Sequence, residues 1–387
     1  MTVALATALL GAGLGAFDGT AVEVRTGGRA ETSALAFSAG GGETRALAAV
    51  DVLPRLGLFL DHERTLRLEL AYTPQLRLSQ ALSYAGSDAA VAHAGSARAE
   101  WDLHPLWSAS GTARSSVRLL DLVASPGHEL ARLMELRAAP AALRVAEEGA
   151  TLGLEGRPTR RVTVAGAFAA ESSGGLGPAG RVAMPPMREL RVAGSVARDF
   201  TRKDVLRLEA SAAAAAFTAR GASLATLGAS WRREAARTVR LRLAAAASEA
   251  RADGVPARLV PGGEVAVEVT PALLGRPLRA ALAARAGPAF DRFEAGVQER
   301  LGLDASATWE VAPRWSVGAL GATGRVRERG GYSASRADVR TDWRAARRLT
   351  VYAHVWGERH DDPRLATGAT ATYLGSGIGI ELAPLSR

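Results

Sequence analysis

The sequence predicts an all-β protein: one closed antiparallel β-barrel of about 16–18 strands that spans a membrane. Three observations predict this fold. Apolar and charged residues alternate with a period of two along most of the 387 residues, tight turns recur at regular intervals, and tryptophans gather near those turns. The chain lacks the run of about 18 apolar residues that a transmembrane helix needs, so any membrane crossing must use strands.

Alternation is clearest in residues 64–72, where Leu66, Leu68, Leu70 and Tyr72 share one face while Arg67 and Glu69 lie on the other. A strand sorts side chains in this way, whereas a helix does not. The same pattern recurs in residues 206–209, 239–243, 264–269, 301–310 and 338–343. One face is therefore apolar and the other charged along the whole chain.

Tight turns separate the predicted strands and lie mostly about 33 to 43 residues apart, the length of one long hairpin plus its return connection. They are predicted at residues 61–64, 104–105, 157–161, 201–204, 232–237, 274–277, 311–314 and 344–348. Looser connections are predicted at Ser172–Pro186, Arg251–Gly263 and His360–Ala366. Two strands for each tight turn, an opening strand near Ala21–Phe37 and a closing strand near Ala369–Leu382 together give eighteen.

One long segment breaks the alternation. Residues 119–145 are predicted to form a long loop, and the spacing of Leu130, Leu133 and Met134 after Ser125-Pro-Gly predicts a short helix within it. Such a loop either folds into the barrel and narrows it or packs outside on itself. The sequence leaves both arrangements open.

The N-terminus resembles a secretory signal. Residues 1–16 are apolar and end in small residues, a pattern typical of a removed export signal, although no Lys or Arg precedes the apolar run. The mature barrel is then predicted to comprise residues 17–387. With no cysteine in the chain, disulfides, thiolate metal sites and covalent haem attachment are excluded.

The distribution of charge along the chain argues against a nucleic-acid partner. The formal net charge is +9, with 48 Lys and Arg against 39 Asp and Glu. Lys203 is the only lysine, and acidic residues alternate with the arginines instead of leaving a basic stripe. The charges are better interpreted as a solvated lattice on one face of the sheet.

Alternation alone does not distinguish a soluble sandwich from a membrane barrel, and tryptophan positions favour the membrane barrel. A soluble sandwich would bury the apolar face, whereas a membrane barrel turns it outward and keeps the charged face in a wet lumen. Six of the seven tryptophans lie close to a tight turn, as expected for an aromatic girdle at one membrane interface. They are Trp101, Trp107, Trp231, Trp309, Trp315 and Trp343.

These features together resemble the Gram-negative outer-membrane β-barrel proteins. The export signal, the hairpins with short turns, the looser loops and the aromatic turn end carry the resemblance. It implies an outer-membrane location, contact with outer-membrane lipid, short periplasmic turns and longer outer loops, and it allows an oligomer. The chain ends in Pro384-Leu-Ser-Arg387, without the terminal aromatic residue of that class.

The charged face is predicted to line the pore, because a charge in hydrocarbon costs several kcal/mol. Arginine and carboxylate side chains on neighbouring strands can satisfy one another there and hold an aqueous lumen open. The predicted pore-lining residues are Arg67, Glu69, Arg98, Glu100, Asp102, Glu189, Arg191, Arg207, Glu209, Arg240, Arg242, Glu264, Glu268, Asp304, Arg340 and Asp342.

No catalytic site, cofactor site or metal site is predicted. The chain contains no G-x-S-x-G, His-Glu-x-x-His or P-loop pattern. The glycines between Gly375 and Gly379 lie in the closing strand, which makes phosphate binding there improbable. Arg359-His-Asp-Asp362 is the one cluster with an imidazole beside two carboxylates, and a solvated loop is its favoured interpretation.

Three functions fit such a barrel. The first is a channel that passes small polar solutes or a polymer through a charged lumen. The second is a polysaccharide-secretion barrel that opens only with a periplasmic export partner, since barrels of this size resemble the partners of polysaccharide-export proteins. The third is a structural sheath around a periplasmic or electron-transfer protein. The sequence alone does not choose among them or name a substrate.

Overall fold

In a computed structural model of the chain, eighteen long strands form one antiparallel sheet. It describes residues 20–39, 44–62, 65–81, 87–121, 142–327, 331–362 and 370–386. The strands are β1 Thr20–Ala39, β2 Arg45–His62, β3 Leu66–Ala81, β4 Ser87–His104, β5 Trp107–Asp121, β6 Ala142–Thr159, β7 Val162–Gly175, β8 Met187–Asp199, β9 Asp204–Ala216, β10 Gly221–Ala236, β11 Val239–Ala252, β12 Val255–Val269, β13 Arg276–Asp291, β14 Gly296–Ala312, β15 Trp315–Val326, β16 Ser333–Arg344, β17 Leu349–Asp361 and β18 Thr370–Ser386.

The sheet closes on itself. Each strand pairs with its neighbour in the sequence, and β1 also pairs with β18, from Arg25 opposite Ser386 to Ala39 opposite Ala371. An additional two-residue strand, Ala272–Leu273, only extends the turn before β13. The predicted eighteen-stranded closed barrel, with its opening and closing strands, is therefore confirmed.

The strands bury little of their apolar face. Leu78, Leu152, Leu227 and Ile378 are each more than 60% exposed, and all belong to the apolar face of their strands. A soluble sandwich would bury such residues, whereas a membrane barrel presents them to lipid. Among the described residues, no helix is both long and apolar enough to cross a membrane.

Short turns collect at one end of the barrel. His104 is followed by Trp107, Thr159 by Val162 and Ala312 by Trp315 with only two residues between strands. The predicted turn at residues 232–237 is shifted, because β10 continues through Ala236 and the chain reverses before Val239. The ladder hydrogen bonds with β9 and β11 extend the strand there.

Two predictions about the looser connections were wrong. Residues 251–263 lie almost entirely in β11 and β12, which reverse tightly at Gly254, where a positive φ of 77° favours glycine. Most of residues 172–186, expected to be loop, are ordered: β7 runs to Gly175 and helix α1 spans Gly177–Ala183.

Parts of other predictions lie outside the described residues. β5 extends to Asp121 and β6 begins at Ala142, so the ends of the expected 119–145 loop are strand. Residues 122–141, including the predicted short helix, are not among the described residues, and neither are residues 1–16.

Candidate functional site

The charged face of the sheet is concave and encloses the lumen. A cavity of about 1070 Å³ lies against β10–β15 and is lined by Arg232, Arg242, Glu264, Arg285 and Asp304, among others. These residues alternate along their strands with exposed leucines and valines such as Leu282 and Val265. The polar residues therefore face an interior space, and the apolar residues face outward.

Ion pairs run across neighbouring strands on this lumen face. Arg242 lies 3.6 Å from Glu264, Arg285 lies 3.4 Å from the same carboxylate, and Arg285 also lies 3.6 Å from Asp304. Each arginine is about half exposed, so each pair alone contributes little to stability. Together the pairs hold long side chains along the wall and distribute both charge signs around the cavity.

All sixteen residues predicted to line the pore share this face in the strand register. The structure brings most of them together as ion pairs: Arg67 with Glu100 at 4.0 Å, Arg98 with Glu100 at 2.5 Å, Arg191 with Glu189 at 2.7 Å, Arg207 with Glu209 at 3.7 Å, Arg240 with Glu268 at 4.0 Å and Arg340 with Asp342 at 2.6 Å. Glu69 lies 3.8 Å from Arg55, which was not among the predicted residues. Asp102 lies on the same face, opposite Ser108.

On the strands that follow this cavity around the barrel, β16, β17 and β1–β3, a buried polar wall replaces the exposed lattice. We use this name for Glu31, Asp51, Arg77, Arg336, Asp338, Tyr352, His354, Trp356, Glu358 and His360, all 6% exposed or less. Arg77 Nε donates to Asp51 at 2.9 Å, and Arg336 reaches both Glu358 at 3.4 Å and Asp338 at 3.5 Å. Buried charges require such partners, because an uncompensated one is strongly destabilising.

A row of glycines in β18 makes room for this wall. We call Gly375, Gly377 and Gly379 the glycine row. Side chains of β17 lie across it and reach β1: Tyr352 OH donates to Glu31 at 2.6 Å, and His354 Nε2 lies 2.9 Å from the same carboxylate. A Cβ at any of the three glycines would fall within 2.4 Å of a β17 side-chain atom. The row therefore connects β17 to β1 across the closing strand.

A hairpin leans over the outer mouth. We call residues 291–296, between β13 and β14, the outer hairpin. Arg292 Nη1 donates to the carbonyl of Pro185 at 3.1 Å and Nη2 to Ser173 Oγ at 3.0 Å, so it crosses to β7. Beneath it, Phe290 and Val297 pack on the inward alanines of β9–β11 and on Val260. The hairpin thus occupies part of the mouth.

The six turn-end tryptophans lie on the apolar face. Trp315 pairs in register with Trp343, and both are 52% exposed, as expected for rings at a membrane interface. Trp101, Trp107, Trp231 and Trp309 occupy the same face of their strands at this end, close to the turns. The closed barrel, the outward apolar face and this aromatic end together form the architecture of a β-barrel that spans a membrane.

The histidines lie in unrelated places. His354 and His360 belong to the buried polar wall, and His93 Nδ1 lies 2.6 Å from Tyr72 OH on the outer face. His62 and His104 end strands at the turn end, while His128 lies outside the described residues. Within the described part of the chain, no group of three or more His, Asp and Glu side chains could hold a metal ion.

The solvated-loop interpretation of residues 359–362 was wrong. Residues up to Asp361 belong to β17, where His360 is 1% exposed and contacts Glu358. Arg359, on the outer face, pairs instead with Asp361 at 3.0 Å. Strand alternation therefore sends neighbouring members of the cluster to opposite faces.

Sequence reasoning missed the buried polar wall and the outer hairpin. The glycine row offered a signal in the sequence. Glycine occupies every second position of β18 from Gly375 to Gly379, and large residues occupy every second position of the facing part of β17, a pattern that indicates side chains of β17 lying across the backbone of β18. No comparable signal marks the outer hairpin, whose contacts join residues more than 100 positions apart.

No protein-family model matches the chain, and no curated protein matches it. Among solved structures, it is similar to Pseudomonas aeruginosa OpdQ, at 9% identity and a TM-score of 0.49, with 94% of this chain and 98% of that chain covered. It is also similar to Pseudomonas aeruginosa OccK5 (OpdH), with the same four values. A third is Pseudomonas aeruginosa OccK2 (OpdF) in complex with glucuronate, at 12% identity and a TM-score of 0.46, with 93% and 98% covered.

Proposed function

We propose that the barrel is an outer-membrane channel that passes small polar solutes through its charged lumen. The observation that carries the proposal is the cavity of about 1070 Å³, whose wall bears arginines and carboxylates from five neighbouring strands, β10–β14. Barrels of sixteen to eighteen strands are wide enough to hold an aqueous channel. A wall with both charge signs favours hydrated, polar cargo over apolar cargo.

The filled regions of the lumen favour small cargo over a polymer or a folded partner. The outer hairpin covers part of the mouth, anchored by Arg292 to the far side of the barrel. The buried polar wall packs side chains on the side of β16–β18 and β1–β3. The remaining passage follows the exposed arginine and carboxylate lattice between these two regions.

The direct test is ion conductance across a planar bilayer after the mature barrel is refolded in detergent. Discrete, stable current steps are expected from the unmodified protein. Folding is checked separately by the shift in electrophoretic mobility between unheated and boiled samples. Silence from a folded and inserted protein would overturn the channel proposal.

Reversing the charge of two arginines in the cavity tests whether ions pass through it. Arg242→Glu with Arg285→Glu places carboxylates beside Glu264 and should move the reversal potential in a salt gradient toward that of a cation-selective pore. The control is Arg198→Glu, on the outer face near the β8–β9 turn, which should leave selectivity unchanged. Equal shifts in both variants would contradict conduction through this cavity.

A further inference from the structure

A basic patch faces outward at the outer rim of β15–β17. The outward residues of these three strands lie opposite one another in rows across the strands. The row at the turn end contains Trp315, Trp343 and Val351, and the row at the outer end contains Arg325, Ser333 and Asp361. Arg359 lies one row below Arg325, level with Thr323 and Ser335. We call Arg325, Arg359, Thr323, Ser333 and Ser335 the rim patch.

The height of the rim patch matches a membrane interface. Ten residues separate Trp315 from Arg325. At about 3.3 Å per residue and a strand tilt of about 40°, they span roughly 25 Å along the membrane normal. The apolar band of an outer-membrane barrel is also about 25 Å tall. With tryptophans at the lower edge of this band, the arginines lie at the level of the outer headgroups.

The rows between the two edges would accommodate an acyl chain. Directly below the rim patch, Gly321, Ala337 and Gly357 form a row without large side chains. The next row carries Val339 and Val355, which are 53% and 63% exposed. Cations and hydroxyls share the two rows of the rim patch, and a shallow apolar strip lies below them, in the order of a phosphorylated lipid: polar headgroup, then hydrocarbon.

Charge in the patch favours an anionic ligand. Arg325 is exposed, and within the described residues it has no ion-pair partner. Arg359 pairs with Asp361 at 3.0 Å, and nearby Arg327 pairs with Glu299 at 3.0 Å, so the two carboxylates leave an excess of one positive charge. Arginine binds phosphate oxygens through two parallel hydrogen bonds, and the hydroxyls add donors for the same group.

We propose that the rim patch binds the phosphorylated headgroup of an outer-leaflet glycolipid. Arg325 and Arg359 contact a phosphate, the three hydroxyls contact the phosphate and sugar, and an acyl chain lies over the small-residue row. This site is separate from the lumen and does not depend on solute transport.

The test uses bis-phosphorylated lipid A as the probe. The refolded barrel is titrated with it in detergent, and the bound lipid is counted by native mass spectrometry. The unmodified protein should retain lipid A at least tenfold more tightly than the Arg325→Gln/Arg359→Gln variant. Arg198→Gln, an outward arginine at the turn end, is the matched control and should bind like the unmodified protein.

Two outcomes would overturn the proposal. Equal retention by the unmodified protein and the double variant would show that the two arginines do not bind the headgroup. An equal loss in Arg198→Gln would show general attraction to a basic surface. Should the double variant fail to fold, unmodified barrel is compared with bis-phosphorylated and dephosphorylated lipid A, and equal binding of the two lipids would refute phosphate recognition.

Discussion

Gly377→Ala should destabilise the barrel at its closure. A Cβ at this position would lie 2.4 Å from His354 Nε2 and 2.6 Å from Glu31 Oε1. Neither atom can move freely, because both residues are 3% exposed or less and are hydrogen-bonded to each other. The methyl group must therefore displace the imidazole, displace the carboxylate, or separate β18 from its neighbours.

The expected loss has two parts. Inserting a methyl group into a packed region typically costs about 1–3 kcal/mol. Losing a hydrogen bond to a charged group costs about 1.5–3 kcal/mol. The two overlap, since a displaced imidazole relieves the overpacking, so the free energy of unfolding should fall by about 2–4 kcal/mol. A small opposing gain of about 0.4–1 kcal/mol comes from the reduced backbone freedom of alanine in the unfolded chain.

The assay is urea unfolding of barrels refolded into lipid vesicles, followed by tryptophan fluorescence. Gly166→Ala is the matched control, because its Cβ would have no atom within 4 Å. This variant has the reduced backbone freedom of alanine in the unfolded chain but no steric clash in the folded barrel, so its free energy of unfolding should stay the same or rise slightly. The double variant Gly377→Ala/His354→Ala tests the cause, since removing the imidazole should make the second loss less than additive.

One result would refute the reasoning. If Gly377→Ala and Gly166→Ala unfold within about 0.5 kcal/mol of each other, the side chains of β17 do not depend on the glycine row. The contacts that join β17 to β1 would then contribute nothing to closing the barrel.

Three further predictions follow from the faces, the buried polar wall and the outer hairpin. Leu282 is exposed on the outward face, whereas Ala283 pairs in register with the lumen residue Asp304. Leu282→Arg should therefore cost about 2–4 kcal/mol in vesicle unfolding and Ala283→Arg far less; equal losses would contradict the assigned faces. Asp51→Asn leaves Arg77 buried without its counter-charge and should lower the unfolding free energy by about 3–5 kcal/mol, against under about 1 kcal/mol for Glu155→Gln in an exposed pair. Arg292→Ala should free the outer hairpin and raise single-channel conductance, and an unchanged conductance would exclude the hairpin from the conducting path.

The faces of the strands could be predicted because a strand has a period of two. Once Leu66 and Arg67 are known to lie on opposite faces, every later residue in that strand is assigned, and the sixteen predicted pore-lining positions follow. The strand count followed in the same way from the tight turns. Turn and loop details failed where hydrogen bonds to neighbouring strands extended a strand beyond its polar residues, as at Ala236 and in residues 251–263.

Local sequence therefore determined the fold class, the number of strands and the face of each charged residue. Only the closed tertiary structure decided which charges are buried and which line a cavity. Glu31 and His354 lie 323 positions apart and meet because β1 and β17 both pair with β18, whose glycines leave room between them. Arg292 of the outer hairpin likewise donates to Ser173 only because the closed barrel places the two residues on either side of its mouth. The face on which a residue lies is set by the period of its own strand, but its burial depends on which residues the closed sheet brings opposite to it.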